Sequence, residues 1–323
     1  MAYDKYNVIT IKRYNGFLTL SIVDSNLIYI IHRNKKLNKL VLLFYIMIGT
    51  KISNKYEVEK IIGHGKFGVV FIGRNIDIGE RVAIKAENSE NPYKILKHEV
   101  TVLNYLYGNG VRTIPSIYWY GVHLDCRCII MTYFSHSLQD YYEKKGTLPL
   151  DALGSLMIKC IDTLNSIHKY YVLHRDIKPH NFMMRDGDIF LIDFGLSTYY
   201  MNGDGEHLER SDEENVIGSP RYISFYNHCG EPFSRRDDLI SLGYMYMYLS
   251  TGTLPWDGIP RMDPPDVYKT RIMHPMNISR RSLKTWTNLK NVVDGTIRRY
   301  LKYCYGLEFD EEPDYSVLME LFT

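Results

Sequence analysis

Apolar and polar positions follow two different periods along this chain. Between Tyr56 and about Ile130 the period is two. In "RVAIKAE", Val82 and Ile84 point to one face and Ala83 and Lys85 to the other, as in a strand buried on one side. One segment there breaks the pattern. In "YKILKHEVTVLNYLYG", Ile95, Val102, Leu103 and Leu106 share a stripe at about 100° per residue, which predicts a helix. Glu99 falls inside that stripe. From Leu138 onward helical spacing takes over. "DALGSLMIKCIDTLNSIHKY" repeats Leu153, Leu156, Met157, Cys160, Ile161, Leu164 and Ile167, with Asp151 as its expected N-cap. "RRDDLISLGYMYMYLS" is apolar almost all round and predicts a buried helix. "NFMMRDGDIFLID" predicts a short hairpin turning at Asp186-Gly187. A small strand-rich lobe followed by a larger helical lobe, an α+β fold, is the architecture these periods predict.

Residues 1–46 read differently, being rich in Ile, Asn, Tyr, Lys and Leu and free of proline. Asn15-Gly16 between alternating apolar residues predicts a hairpin. The segment is expected to be an accessory extension without chemistry. Met47, which opens "MIGTKISNKYEVEK" directly before the first strand of the main pattern, is a candidate translation start. The principal domain is therefore placed at 47–323, with its small lobe at about 55–132 and its large lobe at about 135–323.

Composition narrows the setting more than the chemistry. The chain is 45% hydrophobic and 24% charged with a net charge of +2, which gives no global field for nucleic acid or membrane. The five cysteines are odd in number and lack C-x-x-C spacing, so a reduced intracellular chain without structural zinc is expected. The apolar run Leu40 to Ile48 is about half what a membrane-spanning helix needs. A monomer of the cytoplasm or nucleus is the expectation.

"IIGHGKFGVVFIG" places Gly63, Gly65 and Gly68 as G-x-G-x-x-G, with Ile62 before them and Val70 after. Glycines let the backbone approach phosphate oxygens closely. Strand-like sequence follows rather than a helix, which suits a strand–loop–strand flap over a nucleotide and not a dinucleotide fold. Lys85 comes next. A carboxylate facing a core needs a cation, so Glu99 is expected to pair with Lys85, which could then hold nucleotide phosphates.

"YVLHRDIKPHNFMM" supplies the groups that a phosphoryl transfer requires. Asp176 would accept or orient a substrate hydroxyl's proton, and Lys178 would offset charge on the transferred group. Asn181 and Asp193 would offer oxygen ligands to Mg²⁺. The hairpin at Asp186-Gly187 would return Asp193 to Asn181.

In order and at ordinary spacings, G-x-G-x-x-G-x-V, V-A-I-K, H-R-D-x-K-x-x-N and D-F-G resemble the protein-kinase signature set over roughly residues 55–323. The resemblance implies the bilobal protein-kinase fold, ATP with Mg²⁺, and transfer to protein hydroxyls. Lys178, two after Asp176, resembles serine/threonine kinases. "CIIMTYFSHSL" would connect the lobes, with Met131 as gatekeeper, Thr132 and Phe134 offering backbone groups to adenine, and Asp140 reaching the ribose. Asp238 would hold the backbone at His174-Arg175, and Asp237 would act as an N-terminal dipole partner.

"IGSPRYISFYNHCG", "FSRRDDLISLGYMYMYLSTGTLPWDG" and "EFDEEPDYSVLMELF" resemble the casein kinase I group, which lacks Ala-Pro-Glu and typically carries Ser-Ile-Asn there. Here the triplet is Ser224-Phe225-Tyr226, after Arg221-Tyr222. The resemblance implies acidic or already phosphorylated protein substrates, with Arg221 as a substrate-phosphate candidate; a structural role for Arg221 in its loop is the other reading. The group's lysine-rich stretch after Pro-Trp appears as "PWDGIPRMDPPDVYKTRI", with Arg261 and Lys269 left to compensate. Glu206, Glu209, Asp212, Glu213 and Glu214 are either built-in acids that make loop phosphorylation unnecessary or a solvated acidic loop. A pseudokinase scaffold would have lost Lys85, Asp176 or Asp193, and a small-molecule kinase would lack the some forty residues that precede the buried helix.

Overall fold

The computed structural model describes residues 8–14, 17–23, 43–65, 68–209, 215–259, 270–271, 274–293 and 295–323. Strands β1 (Val8–Tyr14) and β2 (Phe17–Val23) pair antiparallel with Tyr14 opposite Phe17, which is the hairpin expected around Asn15-Gly16. Those two connecting residues lie outside the described ones.

The main sheet has six strands in the order β3 (Lys51–Ile52), β4 (Tyr56–Gly65), β5 (Gly68–Asn75), β6 (Arg81–Asn88), β8 (Cys126–Thr132) and β7 (Ile117–His123), antiparallel throughout. Alternation along β6 sends Val82, Ile84 and Ala86 into one core with Phe71, Ile130 and Cys128. On the other face α1 (Ile95–Gly108) packs Leu96 and Val100 against Ile129 and Met131. The first core begins upstream of Met47. Phe44 is 5% exposed, its ring lies 6.5 Å from that of Phe71, and Met47 is fully buried.

After the connection β9 (His136–Ser137), the second lobe is built on helices α2 (Leu138–Lys145), α3 (Leu150–His168), α4 (Phe225–Cys229), α5 (Arg235–Thr251), α6 (Pro275–Leu283), α7 (Trp286–Leu289), α8 (Gly295–Gly306) and α9 (Tyr315–Glu320). As its all-round apolar pattern predicts, α5 is buried from Arg235 to Leu249 and packs against α3 and α8. One expectation for α3 fails. Its first intrahelical bond is Leu153 N–H to the Pro149 carbonyl, so Pro149 occupies the N-cap and Asp151 lies in the first turn. Asp151 therefore acts on the helix dipole rather than capping a donor. Short β10 (Val172–Leu173) precedes the loop that carries Asp176. The hairpin β11 (Phe182–Arg185) and β12 (Asp188–Leu191) turns at Asp186 and Gly187, both at positive φ (53° and 83°), as a two-residue hairpin loop requires. Among the described residues no helix is long and apolar enough to cross a membrane. All five cysteines are free, and four are buried.

Candidate functional site

A cleft of about 1220 Å³ runs between the lobes, from Ile62, Gly63 and Val70 above to Asn181, Ser219 and Arg221 below. Its roof is the β4–β5 hairpin, closed by Gly65 opposite Gly68; Lys66 and Phe67 lie outside the described residues. The glycines there differ in what they permit. A Cβ on Gly63 would meet nothing nearer than Val70 at 3.9 Å, whereas one on Gly68 would lie 1.9 Å from the Ala86 carbonyl oxygen. Gly68 is therefore dictated by the approach of β5 to β6, in addition to any approach of a phosphate.

Below the roof Lys85 binds two acids. Its Nζ donates to Glu99 Oε2 at 2.6 Å and to Asp193 Oδ1 at 2.7 Å. Glu99, on α1, is 1% exposed, so the acid that interrupts the apolar stripe has the cation it needs. Burial alone would drive the Lys85 ammonium toward neutrality, but the Asp193 and Glu99 carboxylates reverse this and raise its pKa. Burial would also raise Asp193; the Lys85 ammonium outweighs it and holds that carboxyl at about 2.

The second cluster is the loop after β10. Asp176 Oδ1 accepts the Ser219 amide at 3.1 Å, and Oδ2 accepts Lys178 Nζ at 2.5 Å. Lys178 also reaches Ser219 Oγ at 3.3 Å. Asn181 turns its amide nitrogen onto the Asp176 carbonyl at 2.8 Å. Its Oδ1 thereby keeps its lone pairs for another partner, and with the ionised Asp193 it forms a hard-oxygen pair suited to Mg²⁺. From α5, Asp238 holds this loop by accepting the amides of His174 at 2.7 Å and Arg175 at 2.9 Å. That contact fixes Arg175 at φ 67°, a conformation L-residues rarely adopt. His168 Nε2 adds a third bond to Asp238 at 3.1 Å, while the Tyr315 hydroxyl sits 2.6 Å from Nδ1. Burial raises the Asp238 pKa, but these donors overcome it and keep the carboxylate low.

At the lobe connection Met131 is buried at the end of β8. The Thr132 amide donates to the Ser116 carbonyl at 3.0 Å, so what Thr132 can still offer a ligand is its carbonyl. Phe134 takes no backbone hydrogen bond among the described residues. Asp140 lines the cleft but is engaged at the N-terminus of α2, where Oδ2 accepts the Ser137 amide and hydroxyl, each at 2.7 Å. This capping box, against the opposing effect of burial, lowers its pKa.

The lower wall is the strap 218–224. Gly218 stands at φ 94°, where a Cβ would lie 2.5 Å from the Arg175 carbonyl; the strap and the catalytic loop touch there. Arg221 makes a two-point pair with Asp257 at 2.7 and 2.6 Å. Ser224 caps α4, accepting the Asn227 amide at 3.1 Å, and donates to Asp237. Asp237 thus does more than face a helix dipole. It also accepts the Ser234 amide at 2.8 Å, and burial pushes its carboxyl up to about 6.

Sequence patterns alone do not identify what holds this strap. Lys284, fully buried, donates to the carbonyls of Pro220 at 3.0 Å, Arg221 at 3.2 Å and Ile223 at 2.7 Å. Its Nζ lies 3.1 Å from His228 Nε2 and over the rings of Tyr244 (4.9 Å) and Trp256 (4.6 Å). No motif surrounds Lys284 in the sequence; the one available signal is a basic residue closing an amphipathic helix. Among the acids of the preceding loop, Glu206 accepts Asn202 Nδ2 at 3.1 Å and is exposed. Asp212, Glu213, Glu214, Arg261 and Lys269 lie outside the described residues.

The Lys85–Glu99–Asp193 cluster and the Asp176–Lys178–Asn181 loop are neighbours, with Lys178 acting on the Asp193 charge, and Lys178 and Asn181 line the inter-lobe cleft. A family model of the protein kinase domain matches residues 56–307, a span that contains both clusters, the lobe connection and Lys284. The chain belongs to the protein kinase family.

Proposed function

We propose that this enzyme is a serine/threonine protein kinase of the casein kinase I type, transferring the ATP γ-phosphoryl group to protein hydroxyls. The observation that carries the reading is the setting of Asp176, with one carboxylate oxygen on the Ser219 amide and the other on Lys178. The carboxylate is thereby aimed at the strap on which a peptide would lie. Asp176 accepts or orients the hydroxyl proton, and Lys178, within reach of both Asp176 and Ser219, offsets charge on the group in transfer. Lys85, held by Glu99, fixes the nucleotide phosphates under the β4–β5 hairpin. The Thr132 carbonyl and the Phe134 backbone receive adenine beside Met131, and the free oxygen of Asp140 is within the cleft for a ribose. Asn181 Oδ1 and Asp193 would hold Mg²⁺, which when bound would supply charge neutralisation on the phosphates. Ser224 at the head of α4, in a strap without Ala-Pro-Glu, supports the casein kinase I likeness.

The test is incubation of the purified chain with labelled ATP and peptides offering serine, threonine or tyrosine. Serine and threonine should be labelled. Asp176→Ala should stay folded and lose roughly 10²–10⁴-fold in turnover, the range for a general base. Exclusive labelling of tyrosine, or near-normal turnover in that variant, would overturn the reading.

A further inference from the structure

The substrate end of the cleft contains an arginine whose fork is already filled. Arg221 lies two residues after Ser219, the residue whose amide touches Asp176. Its Nε donates to Asp257 Oδ1 at 2.7 Å and its NH2 to Oδ2 at 2.6 Å, while NH1 reaches the Tyr222 hydroxyl at 3.2 Å. The guanidinium lies 4.3 Å from the centre of the Tyr248 ring. Asp257 is fixed in turn, accepting the Leu254 amide on Oδ2 at 2.8 Å. Both side chains line the cleft and are partly exposed, 27% for Arg221 and 29% for Asp257, so the pair faces whatever occupies it. Among the described residues, the Lys178 and Arg280 cations at this end are engaged as well. Lys178 binds Asp176 and Ser219, and Arg280 NH2 donates to the Ile259 carbonyl at 3.2 Å.

A two-point arginine–carboxylate contact is the geometry by which proteins recognise acidic side chains and phosphates. Here the chain makes that contact with itself. An incoming acid would meet the Asp257 charge at the same place and would have to exchange two charge-assisted bonds for two of the same kind. We infer that Asp257 is a specificity-determining residue: it closes the Arg221 fork, so the enzyme accepts hydroxyl-bearing peptides without a neighbouring carboxylate or phosphate. The inference rests on the serine/threonine reading of this same site. It selects within that reading by a repulsive element as well as by a filled one.

The experiment is a scan of serine peptides in which alanine, glutamate or phosphoserine occupies each flanking position, read as the ratio of kcat/KM for acid over alanine. In the wild-type chain the ratio should stay within about threefold of one at every position. Asp257→Asn keeps an acceptor for the Leu254 amide but frees the guanidinium; it should raise the ratio about tenfold at one or two positions. The double variant Arg221→Met/Asp257→Asn should lose that gain. A wild-type preference of about tenfold or more for acidic or phosphorylated peptides would overturn the inference, even if D257N failed to fold. A folded D257N with the wild-type ratio would overturn it too. Absence of any labelled peptide would sink the activity itself, which is distinct from an active enzyme that prefers acids.

Discussion

Lys85 and Lys284 are both lysines withdrawn from water, and the chain solves their desolvation in opposite ways. Lys85 faces two carboxylates at 2.6 and 2.7 Å, which raise its pKa against the effect of burial. Among the described residues Lys284 has no carboxylate in its shell. Burial, then Arg280, pull its pKa well down, with Asp257 opposing. Yet three carbonyl oxygens and an imidazole nitrogen lie within 3.2 Å of Nζ. Only an ammonium, with three N–H bonds, can serve the three carbonyls. The first arrangement holds a full ammonium charge between two carboxylates. The second spends the charge on main-chain dipoles and ring faces, and so fixes the strap on which a peptide would rest. Where most protein kinases close this region with Ala-Pro-Glu, Lys284 gathers the carbonyls of 220, 221 and 223 instead.

The comparison breaks most visibly at Lys85. Lys85→Met should lower kcat/KM by roughly 10²–10³-fold, the range for loss of one preorganised electrostatic group. Because that variant also strands Glu99, the informative companion is Lys85→Met/Glu99→Gln. Removing the buried acid should recover thermal stability but no activity. Recovered turnover in the double variant would mean that Lys85 serves only to neutralise Glu99.

Lys284 should respond in the other currency. Lys284→Met leaves three buried carbonyls without their donor while removing a desolvated charge, and a net loss of about 2–4 kcal/mol in unfolding free energy is expected. Denaturant unfolding measures it. Lys284→Arg should not rescue fully, since a planar fork cannot reproduce the tetrahedral donor set. An unchanged midpoint in the methionine variant would show that the strap is held by packing around Trp256, whose Nε1 already donates to the Arg221 carbonyl at 2.7 Å.

The same contrast explains what was legible in the sequence. Lys85 could be found because its partner sits on an amphipathic helix, where Glu99 is conspicuous inside an apolar stripe. Asp176, Lys178 and Asn181 are close in sequence, and the hairpin that returns Asp193 announces itself by Asp186-Gly187. The burial of α5 followed from its lack of any polar face. Lys284 was invisible because its ligands are backbone carbonyls, which every residue possesses, brought together over some sixty positions of chain. The pairing of Arg221 with Asp257 was hidden for a related reason: two surface-type residues in separate loops carry no periodicity. Phe44 falls in the extension by sequence because its partner, Phe71, lies across the sheet rather than along the pattern. The N-cap expected at Asp151 lies two residues earlier, since a proline N-cap leaves no side-chain signature.

The finest test concerns the imidazole beside Lys284. His228 Nδ1 is hydrogen-bonded to Asn277 Oδ1, which can only accept, and the Lys284 ammonium 3.1 Å from Nε2 disfavours a second proton there, so the ring is neutral. Burial first, and then the Lys284 charge, lower the His228 pKa well below its usual value. The folded chain therefore takes up this proton at lower pH than the unfolded chain. The stabilisation is complete above about pH 6.5 and is lost as pH falls from there toward the folded pKa, by at most about 1.4 kcal/mol per pH unit. His174, also lowered by burial, acts in the same direction. Asp237, pushed up to about 6, acts in the opposite one, because the folded chain holds its proton between about pH 6 and pH 4 while the unfolded chain does not. These two contributions cancel when wild type is compared with His228→Gln, whose amide can still donate to Asn277 and accept from Lys284. The stability advantage of wild type over that variant should shrink by about 1–2 kcal/mol between about pH 7.5 and pH 5. An advantage independent of pH would mean that the imidazole facing Lys284 is not neutral, and a lysine solvated by dipoles alone would no longer describe this strap.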